Sequence, residues 1–229
     1  MRVRPLIVAV MLLVAVYLPA FLIVSTLVLT SPAFASAVES DPWLAVPVIM
    51  SVTLASSVLI ILRAGSEDLG KYGMMVPDWS SIRGPLVVGI LFGAAVNLAG
   101  AAFWGDSGFL GEPPLFLGIL LFWVGAPIQE ELIFRGLFQG YLSINLGAVL
   151  GIASYRVPVQ ILLGALAFSL VHVGIVSAGA EFGLVLFTVF GAFVLGIIAG
   201  HYRCRDGGLA GPILVHALFN ITGTLAAIL

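Results

Sequence analysis

Seven apolar stretches, each near the length of a bilayer crossing, follow one another along this chain of 229 residues. A helix needs about 20 apolar residues to traverse the hydrocarbon core. Residues 6–30, 43–62, 85–104, 114–141, 158–179, 182–202 and 209–229 each supply such a run. None shows the alternating polarity of a membrane-barrel strand. A shorter apolar piece, residues 144–154, reads as a half-helix or an in-plane helix. The expected fold is an all-α polytopic membrane protein, a helical bundle of about seven spans plus a short partial helix. Charged residues make up 9% of the chain, against about 25% in soluble domains, too few to cover a water-facing surface. The net charge of -2 and the lack of any basic cluster exclude a nucleic-acid partner. Lipid is the expected surrounding. The single cysteine, Cys204, rules out an internal disulfide and a cysteine-based zinc site.

The basic residues orient the spans. Arg2 and Arg4 precede the first span, Arg63, Lys71 and Arg83 lie between the second and third, Arg156 precedes the fifth, and Arg203 and Arg205 precede the last. With alternating spans, all of these fall on one side. Glu39, Asp41, Asp106, Glu112 and Glu181 fall on the other, with no Lys or Arg. Cytoplasmic loops carry the excess of Lys and Arg, so a multi-pass protein of the cell membrane with a cytoplasmic N-terminus is expected. Ala33-Phe34-Ala35 resembles a signal-peptidase site, but the first apolar run is longer than a signal core and is read as a retained anchor. The long connection 63–84 suggests a division into N-terminal helices with their cytoplasmic loop, residues 1–84, and a transmembrane core, residues 85–229.

Ionisable groups inside a span cost at least about 2.5–3.5 kcal/mol and mark function. The fourth span holds Glu130, Glu131 and Arg135. Glu131 and Arg135 are four apart, share one helical face and can pair. Glu130 points about 100° away, which leaves its carboxylate free for proton transfer. The fifth span carries Phe168 and His172, and the last carries His216 and Asn220 on one face. Asn97 in the third span reads as a helix-packing hydrogen bonder.

These groups lack a motif-borne serine or cysteine nucleophile, and H-E-x-x-H is absent. Hydrolysis by activated water remains. Glu130 would be the base, His172 would position the water or help deprotonate it, and His216 with Asn220 would hold an oxyanion. The same residues admit a second scheme, in which Glu130, His172 and His216 ligate zinc.

Glu130-Glu131-x-x-x-Arg135, Phe168-x-x-x-His172 and His216-x-x-x-Asn220, in this order on separate apolar helices, resemble the signature of the CPBP intramembrane protease family. That family includes CAAX prenyl proteases of the Ras-converting-enzyme type and bacterial Abi, or bacteriocin-immunity, proteins. The resemblance covers residues 114–229, and no named position departs from the pattern. It implies a helical bundle with a conical cavity open to the cytoplasm. It also implies an endopeptidase acting on membrane-associated, possibly lipid-modified, CAAX-like proteins. Glu130 and His172 would activate water without a cofactor, His216 and Asn220 would form the oxyanion site, and Glu131 and Arg135 would give support. Helical rise places Glu130 about 24 Å along its span and His172 about 21 Å along its own. His216 lies seven residues past Leu209. Glu130 and His216 then stand nearer the cytoplasmic end, and His172 stands deeper. The competing readings are a metal-dependent version of the protease, a non-catalytic membrane adaptor or immunity-type protein, and a proton-coupled transporter. Transporters often contain internal repeats, and this sequence has none.

Overall fold

A computed structural model describes residues 3–65, 68–105, 115–152 and 155–228. Eight helices carry the chain back and forth. They are α1 (Val3–Thr30), α2 (Pro32–Ser40), α3 (Val46–Ala64), α4 (Arg83–Trp104), α5 (Phe116–Asn145), α6 (Val159–Val171), α7 (Phe182–Asp206) and α8 (Ala210–Ile228). Among the described residues, six helical segments are long and apolar enough to cross a membrane, and Ala210–Ala226 is a shorter apolar helix. These match the seven expected spans to within a few residues. The expected positions of Arg2, Asp106, Glu112 and Pro114 lie outside the described residues.

Two local outcomes differ from expectation. Residues 144–154 do not continue as a half-helix or in-plane helix. Gly147 adopts φ 56°, a left-handed conformation that ends the helix, and Val149–Ile152 pairs antiparallel with Tyr155–Pro158 (β1 and β2). Val149, Ile152 and Val157 are β-branched and suit a pleated strand better than a short helix. Ser154 lies outside the described residues. The segment after Asp41 differs less, but α2 precedes it where a loop was expected. Ser31 caps α2 by accepting a hydrogen bond from the Phe34 N–H at 3.3 Å, and Pro32 fits its first turn.

Small residues let the helices approach closely. Lipid supplies no hydrophobic drive between helices, so packing and interhelical hydrogen bonds hold them together. On α4, Gly89, Gly93 and Asn97 recur every four residues and face α8. A Cβ at Gly89 would stand 3.1 Å from the Val215 Cα. Asn97 Nδ2 donates to the Phe219 carbonyl at 2.9 Å and to Thr222 Oγ1 at 3.2 Å, the packing role expected of it. On α7, a Cβ at Gly196 would stand 2.7 Å from the Ala165 Cα of α6. One buried cluster joins Val16 of α1 and Ile61 of α3 to Ile133, Phe134, Phe168, Leu195 and Val215.

Basic groups gather at one end of the bundle. Arg203 donates from Nη2 to the Lys71 carbonyl at 2.8 Å and from Nη1 to the Gly207 carbonyl at 2.7 Å. Arg205 reaches the Ser81 carbonyl at 3.3 Å. Gly140 of α5 packs against the Lys71 carbonyl, where a Cβ would stand 3.1 Å away. Tyr72, held in this loop, has its phenol pKa raised, first by desolvation and then by nearby Tyr141.

Candidate active site

The shape of α5 follows from Pro127. Proline has no N–H, and its ring crowds the carbonyl four residues earlier. The helix answers with a wide turn. Ahead of the proline the Ala126 N–H bonds the Leu121 carbonyl, five residues back; a second wide turn, past the glutamates and independent of Pro127, has the Gln139 N–H on the Phe134 carbonyl. Such turns concentrate at functional sites. Between them Ala126–Glu131 keeps the α-helical spacing. In the wide geometry the Phe122 carbonyl would accept from residue 127, which has no proton to give. Asn220 fills the gap, its Nδ2 donating to the Phe122 carbonyl at 2.8 Å. The proline on one helix thus explains a hydrogen bond from another.

Glu131 is fully buried and both its oxygens are engaged. Oε2 lies 3.1 Å from Arg135 Nε, and Oε1 lies 2.9 Å from His216 Nδ1. The expected pairing of Glu131 with Arg135 is present, and Glu131 also fixes the His216 ring. Glu130 is different. Its side chain is 23% exposed, and its Oε2 stands 3.9 Å from His216 Nε2, beyond direct hydrogen-bond length.

Phe168 is the hub on which these groups rest. It is fully buried, with ring centroids 5.3 Å from Phe134, 4.9 Å from His172 and 5.5 Å from His216, all edge-on. The Arg135 guanidinium carbon lies 4.5 Å over its face, so the cation meets π electrons where it has no second carboxylate. His172, the first residue beyond α6, places Nδ1 2.9 Å from the Phe168 carbonyl. A carbonyl only accepts, so Nδ1 carries the proton and Nε2 of the neutral ring is an acceptor.

Two cavities meet at His172. One, of about 140 Å³, is lined by Asn97, Phe168, His172, His216 and Asn220 among others. The second, of about 530 Å³, is lined by Tyr17, Val46, Met50, Phe122, Gln129, Glu130, His172 and Ile175 among others. The structure therefore brings Glu130, His172, His216 and Asn220 around two cavities that share His172 in their lining, with Glu131, Arg135 and Phe168 packed against them. Tyr17 joins from α1, outside the motif-bearing helices. Its only sequence signal was that it is the one tyrosine of the first apolar stretch. Gln129, which donates to Thr53 Oγ1 at 2.9 Å, is a second polar group the motifs did not mark. His201, two residues before Arg203 near the end of α7, is exposed.

Val46 and Met50 lie at the start of α3, Phe122 near the start of α5 and Ile175 just beyond α6. Toward the basic end, residues 131–140 of α5 are all buried.

Among the described residues, no three His, Cys, Asp or Glu side chains group as a metal site would require.

Fold and site together define a polytopic membrane protein with a carboxylate–imidazole centre in the middle of its helices. Residues 112–222 match the model of the type II CAAX prenyl endopeptidase Rce1-like family, so this region of the chain is similar to that family. The chain is also similar to an uncharacterized 24.3 kDa protein of Escherichia coli, 31% identical over 113 residues, which are 49% of this chain and 45% of that relative. The chain thus spans less than half the length of this curated relative. No solved structure matches.

Proposed function

We propose that the protein is an intramembrane endopeptidase that hydrolyses peptide bonds of membrane-associated proteins with water activated by Glu130. The observation that carries this reading is the contrast between neighbours. Glu131 is consumed by Arg135 and His216, whereas Glu130 faces the 530 Å³ cavity with His172 on the same wall.

The chemistry follows from the groups in place. A water held between Glu130 and His172 gives one proton to the Glu130 carboxylate as its oxygen adds to the scissile carbonyl carbon. His172 Nε2 accepts a hydrogen bond from that water and aims it. The carbonyl oxygen becomes an oxyanion. In the imidazolium form, His216 donates from Nδ1 to Glu131 and from Nε2 toward the reacting centre. Asn220 has a second N–H beyond the one given to Phe122. Together they stabilise the oxyanion, an interaction worth about 2.7–4 kcal/mol per donor in well-placed sites. Glu130 then passes its proton to the leaving nitrogen, the C–N bond breaks, and an acid and an amine are released.

The test is cleavage of a panel of fluorogenic and membrane-anchored peptides by purified protein, with Glu130→Ala, His172→Ala and His216→Ala beside wild type. The proposal expects cleavage by wild type and its loss in each variant. Cleavage undiminished in all three would remove the catalytic assignment. A folded wild type that cleaves nothing but captures a partner would favour an adaptor.

A further inference from the structure

We infer that Tyr17 is a positioning residue for Glu130, its phenol donating a hydrogen bond to the Glu130 carboxylate, directly or through one water of the cavity that both line. The kinetic arm of the test below rests on the proteolytic reading above, and the spectroscopic arm does not.

The first observation is the place of Tyr17 in its helix. Between Arg4 and Ser25 it is the one polar side chain of α1. Tyrosines of membrane helices gather at the interfaces, where the hydroxyl reaches water. Tyr17 comes 14 residues after Val3, the start of α1, and so stands about 21 Å along the helix. It is mid-span, where an O–H without a partner is costly. Tyr17 is half-buried and packs against the core cluster that holds Val16 and Ile61. Its hydroxyl is the one hydroxyl among the side chains lining the 530 Å³ cavity. Among the described residues, no protein acceptor takes its proton, and the charge of Glu130 is felt at its phenol.

The second observation is the complementary need of Glu130. Its Oε2 is buried and, among the described residues, has no hydrogen-bond donor. His216 Nε2 stands 3.9 Å away, beyond hydrogen-bond length. The other groups around Glu130 are committed. Arg135 pairs with Glu131 and lies over Phe168, Glu131 holds His216 Nδ1, and Gln129 Nε2 donates to Thr53 Oγ1. His172 Nε2 is an acceptor, because Nδ1 donates to the Phe168 carbonyl. On α3 the one charged residue is Arg63, in its last turn. A carboxylate short of donors and a phenol short of an acceptor thus share one wall. The cavity has room for a bridging water, and a water-mediated bond is nearly as good as a direct one. Such a link holds the carboxylate in one orientation, with its remaining acceptor capacity left to the water that reacts.

Tyr17→Phe tests this, because it keeps the ring and its packing and removes only the O–H. In detergent-solubilised protein carrying carbon-13 at tyrosine Cζ, the signal among those of the five tyrosines that disappears in Tyr17→Phe belongs to Tyr17. The inference expects that signal to move on Glu130→Gln and to stay fixed on Glu181→Gln. A signal indifferent to Glu130→Gln overturns it, whether or not the protein cleaves peptides. On the peptide panel, Tyr17→Phe is expected to lose about ten- to hundredfold in kcat, the worth of a hydrogen bond to a charged group, with KM and unfolding temperature unchanged. In a Glu130→Gln background the same substitution is expected to cost nothing further. A wild-type kcat, a loss carried by KM alone, or an equal further loss on top of Glu130→Gln would each overturn it. If wild type cleaves nothing, the proteolytic reading fails and the tyrosine signal decides alone.

Discussion

The buried Glu131–Arg135 pair is the perturbation with the most predictable energetics. Both side chains have zero exposure, and each has few partners: Glu131 has Arg135 and His216, and Arg135 has Glu131 and the Phe168 ring. Removing one member leaves a buried charge uncompensated, which costs about 3–5 kcal/mol. Arg135→Met and Glu131→Leu should each lose that much in thermal unfolding of the detergent-solubilised protein. This is a large share of a stability that is about 5–15 kcal/mol in typical domains. If the two costs simply added, the double variant would lose about 6–10 kcal/mol. It should not. Replacing a buried ion pair by apolar side chains of similar volume is often neutral. The remaining cost is the His216 Nδ1 left without an acceptor, about 1–3 kcal/mol. The double variant should therefore be more stable than either single one, and should recover folded yield even if the single variants do not accumulate. It should remain inactive, because nothing orients His216. Single variants as stable as wild type, or a double variant that loses the sum, would refute the reasoning.

Three further outcomes follow from the same packing. Phe168→Ala removes the ring beneath His172, His216 and Arg135, and should cost about 3–5 kcal/mol in unfolding measurements together with activity; a variant that unfolds and cleaves like wild type would show that Phe168 is no hub. Gly196→Val puts a side chain where the Ala165 Cα stands 2.7 Å from a Cβ position, and should destabilise the α6–α7 contact by about 1–3 kcal/mol, read as a lower unfolding temperature. Chelators should leave cleavage unchanged and elemental analysis should find no stoichiometric zinc; activity lost to a chelator and restored by zinc would replace the metal-free scheme.

Much of the fold was legible because lipid leaves a chain few choices. Backbone groups in hydrocarbon must bond within their own helix, so run length alone located the spans. The Glu131–Arg135 pairing was legible for a similar reason, since both partners sit one turn apart on one helix. The contact between Glu131 Oε1 and His216 joins residues on different helices, and no spacing rule reaches it. The bond from Asn220 to the Phe122 carbonyl was hidden twice. It depends on Pro127 widening α5 and on α8 lying alongside. The short apolar segment 144–154 misled because apolar character alone does not separate a strand from a helix. The left-handed Gly147 and the β-branched Val149, Ile152 and Val157 decided it. Tyr17 was passed over because a lone aromatic in an apolar helix carries no periodic signal, although it stands beside Glu130 in the folded protein.

The central claim is that Glu130 is the proton carrier of a peptide-bond hydrolysis. The most direct measurement compares wild type with Glu130→Gln, which keeps shape and hydrogen-bonding capacity but cannot accept the proton from water. Both are purified to equal folded yield and given the same membrane-anchored peptide panel. The account predicts that the glutamine variant loses about 10²–10⁴-fold in cleavage rate. Cleavage by Glu130→Gln at the wild-type rate would contradict it.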